Sequence, residues 1–345
     1  MSDLAIAIRI GSTESDIDKV EGAVESIKNN IGKCDYCFFL SIDPSIPKAI
    51  KDYIYAQAKE NPKLFYIFPE EKIYWSEFIN KAIKAAENFD YFIKAHDDII
   101  LQTSNFFPKV KNILESLNDK IAWISFNETS YLEGHWNPST RPGFHKDFLE
   151  KDAWEKRKIF QFHNLPDKWW KGNYLSQFLH QVQIKIISKF FKKLVIFKYP
   201  IKKMDENNKK LLDFPSSPVR CHAPWNTFVL IKMSVLKELG LCENWQTYNA
   251  LFVDEDWGLR ALEKKYWNIW IPEIEYLHLK PLLGGDRSQF QIKNDSKRVG
   301  KLFEEKWGFS AKPTEKQIEL IKIKYRDNYI PWSIGRNSYD WDYAK

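Results

Sequence analysis

Short apolar runs alternate along the first third of the chain with stretches in which apolar residues recur every three or four positions. Leu4–Ile10 is apolar except for Arg9, the pattern of a buried strand. Ile17, Val20, Ala23, Val24 and Ile27 then share one helical face over residues 17–30. The rhythm continues with a strand over Tyr36–Ile42, stopped by Asp43-Pro44 and Pro47. A helix over 47–60, a strand over Leu64–Phe68 and a helix over Ser76–Asn88 follow. A strand over Tyr91–Ala95, a helix over Asn105–Leu117 and a strand over Ile121–Phe126 complete the series. Strands alternating with helices in this way predict an α/β fold with a mostly parallel, doubly wound, Rossmann-like sheet.

The rhythm breaks at Asn127. Pro138, Pro142, Gly143 and an aromatic segment with Trp136, Trp154, Trp169 and Trp170 read as an insertion, largely helical and aromatic, over 127–220. Alternation resumes with a strand over Asn226–Ile231, a helix over Ser234–Leu239 ending at Gly240, and a helix through Phe252–Leu262. The strand Trp267–Ile271 is expected to stop at Pro272, and Glu275–His278 leads into the glycine-rich loop Leu283–Ser288. A polar helix to Trp307 and an aromatic tail close the chain. The chain thus divides into 1–126, 127–220, 221–310 and a C-terminal extension over 311–345.

Composition alters this picture little. With 345 residues, 44% hydrophobic, the chain is long enough for a large core. The net charge of +6 is modest and unevenly spread: nine lysines fall between Lys185 and Lys210, against Asp205 and Glu206. That is a local basic face, and no nucleic-acid partner is expected. Ile184, Ile187, Phe191 and Val195 line one helical face with lysines on another, so 184–203 is a candidate for peripheral contact with an anionic membrane. Packing on its own domain is the ordinary alternative for such a helix. Four cysteines, two of them in Cys34-Asp-Tyr-Cys37, form no disulfide framework and read as reduced, buried thiols. Asp3 and Arg9 interrupt the only N-terminal apolar run, and no segment approaches the ~20 apolar residues of a membrane span. A cytoplasmic protein is the expectation.

The chemistry concentrates in Tyr91-Phe-Ile-Lys-Ala-His-Asp-Asp98, where an apolar strand delivers His96, Asp97 and Asp98 to a strand end. Two adjacent carboxylates there repel each other and are costly to desolvate, and a divalent metal satisfies both. In open α/β sheets the crevice beyond the strands' carboxyl ends is also where ligands bind. The alternative is that these acids only end a strand and cap the next helix.

In order along the chain stand Asp43, Asn80, His96-Asp97-Asp98, Glu255-Asp256 with Leu259-Arg260, Pro272 and His278. This ordered set resembles the GT-A glycosyltransferases, in particular the large inverting group called family 2, over residues 4–126 and 220–308. The resemblance implies a metal-dependent transferase moving a sugar from a nucleotide-diphosphate-sugar donor, with UDP favoured, to a glycan or lipid-linked glycan acceptor. It implies Asp98 and His278 as ligands of Mn²⁺ or Mg²⁺ and Asp97 at the ribose or a metal-bound water. Asp43 would meet the base, Asn80 and Arg287 would contact the donor, Asp256 would serve as base and Glu255 would orient the acceptor. The usual first acid of the metal motif is His96 here. Each residue also has a plainer reading: Asp254, Glu255 and Asp256 at a helix start stabilise its dipole, Asp256 and Arg260 form an i,i+4 pair, His278 can be a hydrogen-bonded core residue, and Arg287 can pair with Asp286. A non-catalytic carbohydrate-binding protein of the same fold and a nucleotidyltransferase are the rival classes. The second usually has a glycine-rich phosphate loop, of which Gly11-Ser-Thr-Glu is a poor example.

Overall fold

A computed structural model describes residues 3–11, 17–44, 46–61, 63–67, 73–117, 120–132, 135–136, 218–221, 223, 227–246, 252–278, 289–311 and 314–325. Their strands are β1 (Leu4–Ile10), β2 (Tyr36–Ile42), β3 (Leu64–Ile67), β4 (Tyr91–His96), β5 (Ile99–Leu101), β6 (Ile121–Leu132), β7 (His135–Trp136), β8 (Val219–Cys221), β9 (Phe228–Lys232) and β10 (Trp267–His278). The helices are α1 (Ile17–Asn30), α2 (Lys48–Glu60), α3 (Trp75–Ala85), α4 (Phe106–Ser116), α5 (Met233–Leu239), α6 (Val253–Glu263), α7 (Gln289–Trp307) and α8 (Glu315–Tyr325).

The central sheet has the order β3-β2-β1-β4-β9-β6-β10-β5. β1 pairs in parallel with β2 and β4, β2 with β3, and β6 with β10. β9 is antiparallel to both neighbours, β4 and β6, so it leaves β6 and β10 running in the same direction as β4. The carboxyl ends of β1, β2, β4 and β10 therefore share one edge of the sheet, and this is what positions the site.

Helices cover both faces, and β1 shows how the sequence arranges this. Leu4, Ile6, Ile8 and Ile10 enter one core with Val20, Val24 and Ile27 of α1 and Ile50 and Ile54 of α2. Ala5 and Ala7 point to the other, where Phe78 and Ile79 of α3 and Trp257 of α6 pack. A continuous apolar run is what a strand buried on both faces requires. Each fully buried Ile or Leu contributes roughly 1.5–3 kcal/mol relative to exposure.

Three departures from the expected elements bear on the site. β4 runs one residue further, to His96, and after a turn at Asp97-Asp98 the chain forms the short β5, antiparallel to the end of β10. β10 does not stop at Pro272; it continues to His278, with its register to β6 shifting between Ile271 and Glu275. A bulge takes in a residue that has no N–H to give the ladder, which is how the proline is tolerated. β6 continues past Phe126, pairing Asn127 with Glu275 and Ser130 with His278. Most of the expected insertion, including 184–203, Trp169 and Trp170, lies outside the described residues, as do the loop with Arg287 and the tail beyond Tyr325. Among the described residues no helix is long and apolar enough to cross a membrane.

Candidate active site

His96 ends β4, Asp98 closes the following turn, and His278 ends β10. The β5–β10 ladder pairs His278 with Ile99, which brings its ring onto the turn. His278 Nε2 lies 3.2 Å from Asp98 Oδ1 and His96 Nδ1 lies 3.9 Å from the same oxygen. The two rings meet edge to face at 5.7 Å. One ligand atom from each of the three residues falls within 4.8 Å of the others. Burial works against the Asp98 carboxylate. The His278 ring and its hydrogen bond, then the His96 ring and Lys19, outweigh this and hold Asp98 below the usual carboxylate range. Two imidazoles and one carboxylate converging at a strand edge suit a divalent ion, and the nitrogen-rich set favours Mn²⁺ over Mg²⁺, which prefers oxygen ligands.

The triad joins Asp98 and His278, the two expected ligands, and adds His96. The signal for His96 was its place in the metal motif, where the resemblance has an acid; an imidazole there is still a donor atom. Asp97 points differently: its Oδ2 accepts the Gly11 N–H at 2.8 Å, tying the end of β1 to the turn. Asp43, 5% exposed, sits at the carboxyl end of β2, its N–H donating to Ile10 O at 3.2 Å.

Asn80 does not join this edge through its amide. Its Nδ2 donates to Cys242 O at 2.9 Å and its Oδ1 accepts the Cys242 N–H at 2.8 Å, while Ser76 Oγ and Asn244 Oδ1 lie 3.1 Å apart. These bonds fasten the segment after α5 onto α3. Both atoms of the Asn80 amide are engaged in this pairing.

The first turn of α6 carries Asp254, Glu255 and Asp256 after Phe252, whose φ of 57° marks the helix entry. Residues two apart on a helix face opposite sides. Asp256 is 1% exposed; its Oδ1 accepts from Lys306 Nζ at 2.7 Å and Trp307 Nε1 at 3.0 Å, and its Oδ2 lies 2.5 Å from Arg260 Nη2. Those partners tie α6 to the end of α7 through Asp256. Sequence reading found Arg260 but not Lys306 and Trp307, which arrive from about fifty residues downstream. Asp254 is charge-coupled instead to Lys94 of β4. Lys94 is 1% exposed and lies 5.0 Å above the Trp75 ring. Burial pushes the Lys94 ammonium down to about 8, with Asp254 and Cys242 opposing. Burial pushes the Asp254 carboxyl well up, with Lys94 opposing and Glu255 adding to the rise.

The fold defines a GT-A-type architecture. In fold the chain is similar to the crystal structure of GalNAc-T7 with UDP, GalNAc and Mn²⁺, at a TM-score of 0.52 and 11% sequence identity, covering 94% of this chain and 55% of that one. The chain thus spans about half the length of that protein's chain. No protein-family model matches the sequence, and no curated protein matches it.

Proposed function

We propose that this protein is a metal-dependent glycosyltransferase that moves a sugar from a nucleotide-diphosphate sugar to a hydroxyl of a glycan or lipid-linked glycan. The observation that carries the reading is the His96–Asp98–His278 triad at the carboxyl edge of a GT-A-type sheet. His96, Asp98 and His278 would hold the ion, with Mn²⁺ favoured by their nitrogen-rich donor set. A bound divalent ion supplies Lewis-acid neutralisation of the charge that builds on the departing nucleoside diphosphate.

UDP-sugar is the favoured donor, since the structurally similar GalNAc-T7 was solved with UDP, GalNAc and Mn²⁺. Asp43, at the end of β2, is the group proposed to accept an N–H of the base, and Asp97, beside the ligand Asp98, is proposed to meet the ribose. Arg287 is proposed to close over the diphosphate, with two parallel N–H donors matching phosphate oxygens. Inversion of the anomeric centre, taken from the family resemblance, requires a base on the acceptor side. Asp256 is the acid that resemblance assigns, with Glu255 orienting the acceptor. Asp254, in the same helix turn and charge-coupled to Lys94, is the second candidate. Loss of turnover by at least a hundredfold in folded Asp256→Asn, or in folded Asp254→Asn, would identify which of them is the base.

The test is release of free nucleotide from UDP-, GDP- and CMP-sugars with Mn²⁺ or with EDTA. Release from one donor, dependent on Mn²⁺ and absent in Asp98→Ala, is expected. No release and no metal-dependent nucleotide binding on the same panel would leave the carbohydrate-binding protein as the better account.

A further inference from the structure

β5 is three residues long, yet it carries the backbone from Asp98 and pairs with the strand end that carries His278. A strand this short at a sheet edge holds its place poorly by ladder bonds alone. Its other edge is gripped by α1. The Leu101 N–H donates to Ser26 Oγ at 3.0 Å, and Asn30 Nδ2 donates to Leu101 O at 2.9 Å, so both backbone groups of that residue are held by side chains of one helix. The two gripping residues are themselves tied to α1, Asn30 Nδ2 to Ser26 O at 3.0 Å and Ser26 Oγ to Ala23 O at 3.1 Å.

Gly22 lies one turn before Ser26 on the same face, where a Cβ would come 2.7 Å from Ile100 Cδ1. A Cβ there would push the tip of the Ile100 side chain aside, so the helix packs closest to β5 with no side chain at residue 22. Positions 22, 26 and 30 recur every four residues, which on a helix makes one continuous stripe. The stripe runs along β5 from Ile100 to Leu101, and Lys19, three residues before Gly22, contributes to the field at Asp98.

We propose that the Gly22–Ser26–Asn30 face of α1 is a positioning device for the metal centre: it clamps β5 against β10 and so fixes Asp98 relative to His278. The inference rests on the reading of His96, Asp98 and His278 as metal ligands. A ligand set must be held to within about 0.5 Å to bind well. A three-residue strand freed on one side does not hold it so.

The test is Mn²⁺ titration of the full chain, with free Mn²⁺ followed by electron paramagnetic resonance and the unfolding midpoint recorded beside it. Ser26→Ala/Asn30→Ala should weaken Mn²⁺ binding about tenfold, at the lower end of what outer-shell changes cost. Gly22→Ala should weaken it less, and Gly22→Ala/Ile100→Val, which removes the opposing Cδ1, should restore it. Val24→Ala, on the core face of the same helix, should lower the unfolding midpoint and leave Mn²⁺ affinity unchanged. A merely structural helix would instead show affinity following stability across all four. Wild-type affinity in Ser26→Ala/Asn30→Ala, or in Gly22→Ala should the double variant not fold, overturns the proposal. Wild type that binds no Mn²⁺, or His278→Ala that binds it like wild type, overturns the metal reading itself and this inference with it.

Discussion

Asp98 and Asp256 are both enclosed carboxylates, and their neighbours give them opposite roles. Asp256 is surrounded by permanent cations and an indole N–H: Arg260, Lys306 and Trp307. Lys306 and Arg260 also reach Glu243, at 2.6 and 3.1 Å, which extends the network to the segment after α5. An open cavity of about 590 Å³ lies beside this network, lined by Glu243, Arg260, Lys264 and Lys306, and not beside the triad. Asp98 has two imidazoles, groups whose ring nitrogens are able to ligate a metal ion. A carboxylate compensated by Arg and Lys has its charge settled within the fold. One compensated chiefly by histidines is suited to taking an ion. Counting acids in a motif cannot separate the two cases; identifying their neighbours does.

The comparison breaks most sharply through stability. Removing Asp256 leaves Arg260 and Lys306 charged beside a buried void, so Asp256→Ala should destabilise by about 3–5 kcal/mol in denaturant unfolding. Asp98→Ala, with metal withheld, should cost clearly less, because it leaves two imidazoles, and no enclosed Arg or Lys in direct contact, without a counter-charge. Equal losses in the two variants would erase the distinction drawn between them.

A smaller effect is expected at Asn80. Asn80→Ala leaves the Cys242 backbone N–H and C=O without their amide partner and should cost about 1–3 kcal/mol, with Mn²⁺ affinity unchanged. A selective loss of nucleotide affinity with no loss of stability would return Asn80 to the donor site.

The smallest effect concerns the paired cysteines. Burial, then Asp3 and Asp35, raise the Cys34 thiol to about 11, and burial raises Cys37 as well. The folded thiol therefore stays protonated where the unfolded one ionises, so its contribution to stability is present below about pH 9 and is lost as pH rises toward 11. Alkylation of native protein at pH 8 should be slow at Cys34 and should speed up on denaturation. Rapid labelling of the native protein would contradict the raised Cys34 thiol.

What the sequence made legible follows the range of the interactions involved. The buried parallel strands announce themselves, because a strand covered on both faces must be largely apolar, as Leu4–Ile10 and Tyr36–Ile42 are apart from Arg9 and Ser41. The strand delivering the metal motif was legible for the same reason. β5 was not: three residues after a two-residue turn have no periodicity to read, and only their pairing with Tyr276–His278 makes them a strand. Pro272 signalled a strand end, yet the bulge carries β10 on to His278. The antiparallel direction of β9 is a matter of topology that its apolar run cannot express. The contacts of Asp256 with Lys306 and Trp307 were not legible because those partners are distant in sequence, nor were those of Asn80, whose partner is a backbone segment.

The central claim is most directly tested by Mn²⁺ titration of the wild-type protein against His96→Ala, Asp98→Ala, His278→Ala and Asp256→Asn, with stability checked in each. The account predicts one Mn²⁺ site per chain, lost or strongly weakened in the first three variants and kept in folded Asp256→Asn. Mn²⁺ binding that survives loss of both histidines, or that disappears with Asp256 in a folded protein, would contradict it.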